Sequence, residues 1–148
     1  MDNSMTISMP LDEEGFMMMQ CPRCGDFFKV TSKDYEADDV EELWCPICGL
    51  KGNSFWPTEI IELARAKALN RVIGDLEKEI THIGTSTSRQ SLISLKITVR
   101  SEHKREGEVL PAVDAFEKSK CGFCGRVTKL KPLVKYVGAF CAFCGERL

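Results

Sequence analysis

The fold of this chain is decided by four short stretches of its sequence: CPRCG at residues 21–25, CPICG at residues 45–49, CGFCG at residues 121–125 and CAFCG at residues 141–145. All eight cysteines of the 148-residue chain lie in these four pairs. Two residues between cysteines allow a tight turn to aim both sulfurs at one metal ion, and the longer gap lets a hairpin bring in a second turn. The spacing therefore predicts two tetrahedral metal sites, held by Cys21, Cys24, Cys45 and Cys48 near one end and by Cys121, Cys124, Cys141 and Cys144 near the other.

The residues around the cysteine pairs support this interpretation. Each pair is followed by a glycine, which adopts positive φ without a Cβ clash, and Pro22 and Pro46 fix φ inside the turns of the first site. With these motifs the chain resembles the zinc-ribbon class with rubredoxin-like knuckles, over roughly residues 16–50 and 117–148. The resemblance implies one structural Zn²⁺ in each ribbon and names no partner, because members of the class serve transcription, translation and many multi-protein assemblies. Iron, which four thiolates also bind, is the second choice of metal.

Other uses of eight cysteines fit the sequence less well. A disulfide framework needs an oxidising compartment, of which the sequence shows no sign. A thioredoxin-like redox pair would normally be a single C-x-x-C at the start of a helix. A shell of four thiolates leaves no coordination position for water or substrate, so we expect the metals to be structural and to supply folding energy that a ribbon of about 30 residues cannot draw from a core. We also expect Cys45→Ser to abolish folding of the first ribbon while the second retains its ion.

Charge and hydropathy suggest a cytoplasmic protein whose charges are unevenly distributed. The first twenty residues contain no Lys or Arg and no long apolar run, and no stretch approaches the roughly 18 apolar residues of a membrane span. The net charge of −2 conceals −8 over residues 1–82 and +6 over residues 83–148. This asymmetry could steer partners of opposite sign to the two ends, or it could hold the two halves of one molecule together.

Local patterns predict the secondary structure between the cysteines. Residues 16–20 and 26–31 read as strands, and residues 34–42 as an acidic loop. Residues 58–80 form the clearest helix, with Thr58 as its N-cap. We expect its apolar stripe to pack on the protein's own sheet, with a helix–helix dimer or a docked partner as the alternative; the stripe consists of Ile61, Ala64, Ala68, Val72, Leu76 and Ile80, widened by Leu69 and Ile73.

Beyond this helix, residues 85–88 read as a polar loop and residues 93–99 as a half-buried strand, whose apolar side is the natural cover for the helix. We therefore predict a small α+β protein in which two four-cysteine zinc ribbons flank a central amphipathic helix and a β-strand. The predicted domains are a flexible acidic tail (1–15), an N-terminal zinc ribbon (16–52), a helix and strand middle unit (53–116) and a C-terminal zinc ribbon (117–148).

The sequence contains no pattern typical of an enzyme. It has no phosphate-binding glycine loop, no nucleophile motif, only two histidines and no spare cysteine, so we expect no catalysis and no small-molecule substrate. The leading hypothesis is an adaptor or accessory subunit that binds another protein through its ribbons and middle unit. The alternative is a nucleic-acid-binding or transcription-associated ribbon protein that holds the phosphate backbone with basic residues of its second ribbon, namely Arg126, Lys129, Lys131 and Lys135.

Overall fold

The computed structural model describes residues 6–87, 101–109 and 115–148. The chain divides into two compact units, a ribbon unit that contains Ser8–Ile61 and Val109–Leu148, and a helical unit that contains Glu62–Glu108. The described residues form a mixed α+β structure, which confirms the predicted fold class. Its strands are β1 (Phe16–Gln20), β2 (Phe27–Thr31), β3 (Leu43–Trp44), β4 (Lys51–Gly52), β5 (Glu117–Lys120) and β6 (Val127–Leu130), and its helices are α1 (Ser32–Tyr35), α2 (Thr58–Thr87) and α3 (Pro132–Val137).

The two ribbons are parts of one antiparallel sheet with the strand order β1-β2-β6-β5. At its centre β2 pairs with β6, so that Lys29 lies opposite Lys129 and Val30 lies opposite Thr128. Lys29 and Lys129 occupy equivalent places in the two ribbons, because each lies eight residues after the first cysteine of its site. The ribbons are therefore related by an approximate twofold axis that passes between these two lysines, a relationship that the sequence did not predict.

Among the described residues, one hydrophobic core cluster is built from both ribbons. Side chains alternate between the two faces of a strand, and on one face Met17 and Met19 of β1, Phe28 and Val30 of β2, and Leu130 of β6 are buried. One cluster of buried residues joins them to both metal sites through the cysteines Cys21, Cys45, Cys121 and Cys141. Since the two ribbons share this cluster, the stability of each depends on the other.

Helix α2 confirms the predicted helix and extends it by seven residues, to Thr87. Residues 85–87, predicted as loop, are helical because each residue added to a helix that has already nucleated gains a hydrogen bond. Thr58 is the first helical residue rather than the N-cap, since the carbonyl of Pro57 accepts from the N–H of Ile61 at 3.2 Å. The N-terminus is instead bound by Gln20 of β1, whose side-chain oxygen accepts from the N–H of Thr58 at 3.0 Å.

Of two further predictions, one is corrected by the structure and one concerns residues that the structure does not describe. The segment predicted as an acidic loop begins with the helical turn α1, whose N-cap Thr31 accepts from the N–H of Asp34 at 3.2 Å. The predicted strand at residues 93–99 lies outside the described residues. No helix in the described ranges combines the length and apolar character that crossing a membrane requires.

Candidate metal centres

Each metal site is built from two knuckles that repeat one backbone turn. In the first knuckle the N–H of Gly25 donates to the carbonyl of Cys21 at 2.9 Å, and an equivalent bond of 2.9–3.0 Å closes the other three. The glycine that closes each turn has a φ between +69° and +76°, a region that L-residues with a Cβ rarely adopt. This confirms the conformation predicted for Gly25, Gly49, Gly125 and Gly145.

The sulfur positions fit a tetrahedral metal ion. In the first site Cys21 Sγ lies 3.8 Å from Cys48 Sγ, and Cys24 Sγ lies 3.6 Å from Cys45 Sγ. The corresponding pairs of the second site are 3.6 Å and 3.5 Å apart, and the four sulfurs of each site all lie within 4.8 Å of one another. Four thiolates at about 2.3 Å from a central ion would be about 3.8 Å apart, whereas a disulfide would bring two sulfurs to about 2.05 Å. The eight cysteines thus form two clusters of four that fit tandem zinc-ribbon knuckles.

The thiols within a site differ in how readily they ionise. Burial opposes ionisation of Cys21, but the N–H groups of Cys24 and Arg23 outweigh it and lower the pKa of Cys21 to about 7. The equivalent Cys121 also has a pKa of about 7, because the N–H groups of Cys124 and Phe123 outweigh its burial.

The deepest thiol of each site shows the opposite behaviour. Burial raises the pKa of Cys45 and of Cys141 well above that of an ordinary thiol, and the neighbouring sulfurs add to the effect. Collecting four thiolates at such a place therefore requires a cation among them, which is the property of a metal centre. Because four sulfurs complete the shell, the arrangement suits a structural ion and offers no open position for water or substrate.

Comparison of the chain with family models, with curated proteins and with solved structures gave no match.

The two metal sites are locked together by a reciprocal contact across the approximate twofold axis. The N–H of Trp44 donates to the carbonyl of Ala142 at 2.8 Å, and the N–H of Phe140 donates to the carbonyl of Pro46 at 2.9 Å. Trp44 and Phe140 each directly precede the third cysteine of their own site, and each ring lies against the last knuckle of the other site. Each aromatic side chain therefore belongs to the surroundings of the opposite four-cysteine site.

The equivalent glycines that close two knuckles allow this contact to be tested. Gly125 and Gly145 both have a φ of +75°, but a Cβ at Gly145 would lie 2.7 Å from ring atoms of Trp44, whereas a Cβ at Gly125 meets nothing within 4 Å. We expect Gly125→Ala to lower the free energy of unfolding by about 1–2 kcal/mol through backbone strain alone. Gly145→Ala should suffer the same strain and, because its Cβ would overpack against Trp44, lower the free energy of unfolding by about 1–3 kcal/mol more. Thermal unfolding of the two zinc-loaded variants measures the difference, and equal losses would contradict the contact.

The basic residues predicted to bind nucleic acid form ion pairs within the ribbon unit. Three of the four bind acids from the first 82 residues, in keeping with the interpretation that opposite charges hold the two halves together. The pairs are Arg126 with Asp39 at 2.6 Å, Lys129 with Asp12 at 2.7 Å, Lys131 with Asp26 at 3.0 Å, and Lys135 with Glu117 at 3.4 Å.

Asp12 was not predicted to be important, since it was assigned to the acidic tail. Its Oδ2 lies 3.3 Å from Lys29 Nζ and 2.7 Å from Lys129 Nζ, on the approximate twofold axis. Both lysines are buried, with exposed fractions of 2% and 6%. Burial opposes the charge on Asp12, but Lys129 and the N–H groups of Phe16 and Glu14 outweigh it and lower the pKa to about 2. The signal in the sequence that could have indicated this site is the pair of lysines, Lys29 and Lys129, at equivalent positions in the two ribbons.

Proposed function

We propose that this chain is a non-catalytic zinc protein in which two Zn²⁺ ions stabilise one two-ribbon body that binds another protein. Zinc is preferred because it takes four thiolates in tetrahedral geometry and has no redox chemistry of its own. Elemental analysis of the purified chain should find two zinc ions per molecule. Iron in their place would replace the metal but keep the fold, whereas metal-free folded protein would overturn the proposal.

The observation that carries protein binding is an apolar face on α3, formed by Leu133, Tyr136 and Val137. Residues three and four positions apart share one side of a helix. The exposed fractions of these three side chains lie between 73% and 82%. Large apolar side chains grouped at a surface are typical of a site that another protein covers.

The first ribbon provides an internal control for this interpretation. Helices α1 and α3 both follow a central strand directly, and their N-caps, Thr31 and Lys131, are equivalent. In the first ribbon the residues equivalent to Leu133, Tyr136 and Val137 are Lys33, Glu36 and Ala37. Helix α1 ends at Tyr35, before the places equivalent to Tyr136 and Val137, whereas α3 continues through them. The first ribbon thus folds with charged residues at two of the three places, so the ribbon fold does not itself require an apolar face there.

The surface also supports a protein partner over a nucleic acid. The α3 face is apolar, whereas a surface that binds nucleic acid supplies cations to the phosphates. Each of the four basic residues considered for phosphate binding has a carboxylate partner within 3.4 Å. We therefore propose a partner that covers the α3 face with an apolar surface of its own.

Exchanging the α3 face for its counterpart tests this proposal. The variant Leu133→Lys, Tyr136→Glu, Val137→Ala carries the residues that the first ribbon uses, so we expect it to fold and to keep both metal ions. A photo-crosslinking residue at position 133 of the zinc-loaded chain should capture one protein in cells of origin, and position 33 is the matched control. Because position 133 is changed in the triple variant, affinities are compared with the crosslinker at position 123, outside the exchanged face, in both proteins. The triple variant should bind the purified partner at least about 100-fold more weakly than the wild type, since exposed apolar anchors contribute about 1–4 kcal/mol each.

Three results would count against the α3 face. They are equal capture from positions 33 and 133, unchanged affinity of the triple variant, and crosslinks to nucleic acid in place of protein.

A further inference from the structure

Helix α2 carries a second exposed apolar surface, within the helical unit. We call it the α2 seam and define it by six positions at alternating spacings of four and three residues: Arg65, Leu69, Val72, Leu76, Glu79 and Ile83. The four apolar members have exposed fractions between 48% and 59%. At about 100° per residue these positions fall on one side of the helix. Large apolar residues in a 4-3 spacing are the pattern that packs against another helix of the same kind.

A different side of α2 is covered by the helical unit itself. Ala66 is buried, and the side chain of Asn70 accepts from the N–H of Lys104 at 2.6 Å and donates to its carbonyl at 2.7 Å. Glu77 accepts a hydrogen bond from the hydroxyl of Ser101. These residues lie roughly 120° around the helix from the α2 seam. The sequence predicted that the apolar stripe of α2 packs on the protein's own sheet. Three members of that stripe, Leu69, Val72 and Leu76, are exposed, so this packing does not cover the seam.

The two charges in the α2 seam indicate what covers it. Arg65 and Glu79 are its charged members, and neither side chain is buried. A parallel pair of α2 helices would place Arg65 against Arg65 and Glu79 against Glu79. An antiparallel pair that uses all six positions aligns Val72 with Leu76, Leu69 with Glu79, and Arg65 with Ile83 of the opposing copy. Arg65 and the opposing Glu79 then occupy adjacent layers, one helical turn apart, where their side chains can meet at both ends of the seam.

We infer that the α2 seam is a self-association surface, and that two copies of this chain pair through it as antiparallel helices. The apolar members fill the centre of the interface, and the two Arg65–Glu79 pairs fix its direction. This inference concerns the helical unit and is independent of the partner proposed for the α3 face.

Sedimentation equilibrium of the full zinc-loaded chain over micromolar concentrations tests the inference. The expected mass is twice the 16.6 kDa of one chain. Leu76→Glu should weaken the dimer at least about 100-fold, because it places two charges in the central apolar layers. Arg71→Glu, a charge reversal on the same helix outside the seam, is the matched control and should leave the dimer intact. Circular dichroism and zinc content confirm that each variant folds.

A charge exchange tests the direction of the helices. Arg65→Glu alone and Glu79→Arg alone should each weaken an antiparallel dimer about tenfold, since like charges then meet at both ends. The double variant Arg65→Glu, Glu79→Arg should restore the affinity. In a parallel dimer the single variants would change little, and the double variant would restore nothing.

The inference is overturned by a monomer at all concentrations, by a dimer that Leu76→Glu leaves intact, or by a dimer that only the triple α3 variant disrupts.

Discussion

Replacing Cys45 with serine is expected to remove both metal ions from the chain, although Cys45 belongs to only one of the two sites. The sequence alone predicts a local effect, in which the second ribbon keeps its ion. The structure changes this expectation because β2 and β6 pair at the centre of one sheet, and because Trp44, next to Cys45, lies against the last knuckle of the second site. If the first ribbon unfolds, the second ribbon loses about half of the buried residues that form the shared core.

The energies support a cooperative loss. A structural zinc ion contributes about 10–16 kcal/mol of apparent binding free energy, whereas a whole domain is stable by only about 5–15 kcal/mol. The loss of one ion therefore removes as much free energy as stabilises a whole domain, and the second ribbon loses the core that it shares with the first. Elemental analysis of purified Cys45→Ser protein should find much less than one zinc ion per chain, together with loss of strand signal in circular dichroism.

Two matched variants complete this experiment. Cys141→Ser, the equivalent change in the second ribbon, should behave in the same way, because Cys141 is buried in the same core. Leu133→Ser alters an exposed side chain of the second ribbon and should leave two ions bound. A single ion retained by each of the cysteine variants would show that the ribbons fold independently and would contradict the shared core.

The sequence predicted the metal ligands because their signal is local. Two cysteines three positions apart can point at one ion whatever the rest of the chain does, and the strands that lead into the knuckles follow from short runs of alternating residues. The α2 helix was predicted for the same reason. Each of these features depends on residues within one or two turns of the chain.

The joining of the two ribbons could not be predicted in this way. The pairing of β2 with β6 brings together residues about one hundred positions apart, and the residues at the junction are lysines, which are almost never fully buried unless paired. Lys29 therefore reads as an exposed position of a strand, although it is buried. Lys29 binds Asp12, and a single acid in a charged N-terminal segment carries no pattern of its own.

The ion pairs of that acid with two buried lysines lead to the second large effect, an expected loss of about 3 kcal/mol in the free energy of unfolding when Asp12 is replaced by asparagine. The asparagine side chain retains an oxygen that can accept from the N–H groups of Glu14 and Phe16, as Asp12 Oδ1 does at 3.1 Å and 2.9 Å. The variant therefore removes the negative charge and little else. Removing one partner of a buried ion pair costs about 3–5 kcal/mol, and a pKa lowered from 3.8 to about 2 corresponds to about 2 kcal/mol.

The pH dependence of this loss has a definite sign. Because the pKa of Asp12 in the folded protein is below its ordinary value of 3.8, the carboxylate stabilises the fold above that value and loses its contribution only as the pH falls from about 4 towards 2. The difference between the wild type and Asp12→Asn should therefore be constant from pH 6 to pH 8. Denaturant unfolding of the zinc-loaded proteins at several pH values within this range measures it.

Glu42→Gln is the matched control, since Glu42 also binds a lysine, Lys51, but at the surface. An exposed ion pair contributes little and is screened by salt, so this variant should show a small loss that disappears in high salt. The loss in Asp12→Asn should persist in high salt, because Lys29 and Lys129 are shielded from solvent. If the two variants lost stability equally and responded equally to salt, Asp12 would be an ordinary surface acid, and the junction between the ribbons would have to be held by the paired strands and the aromatic contacts alone.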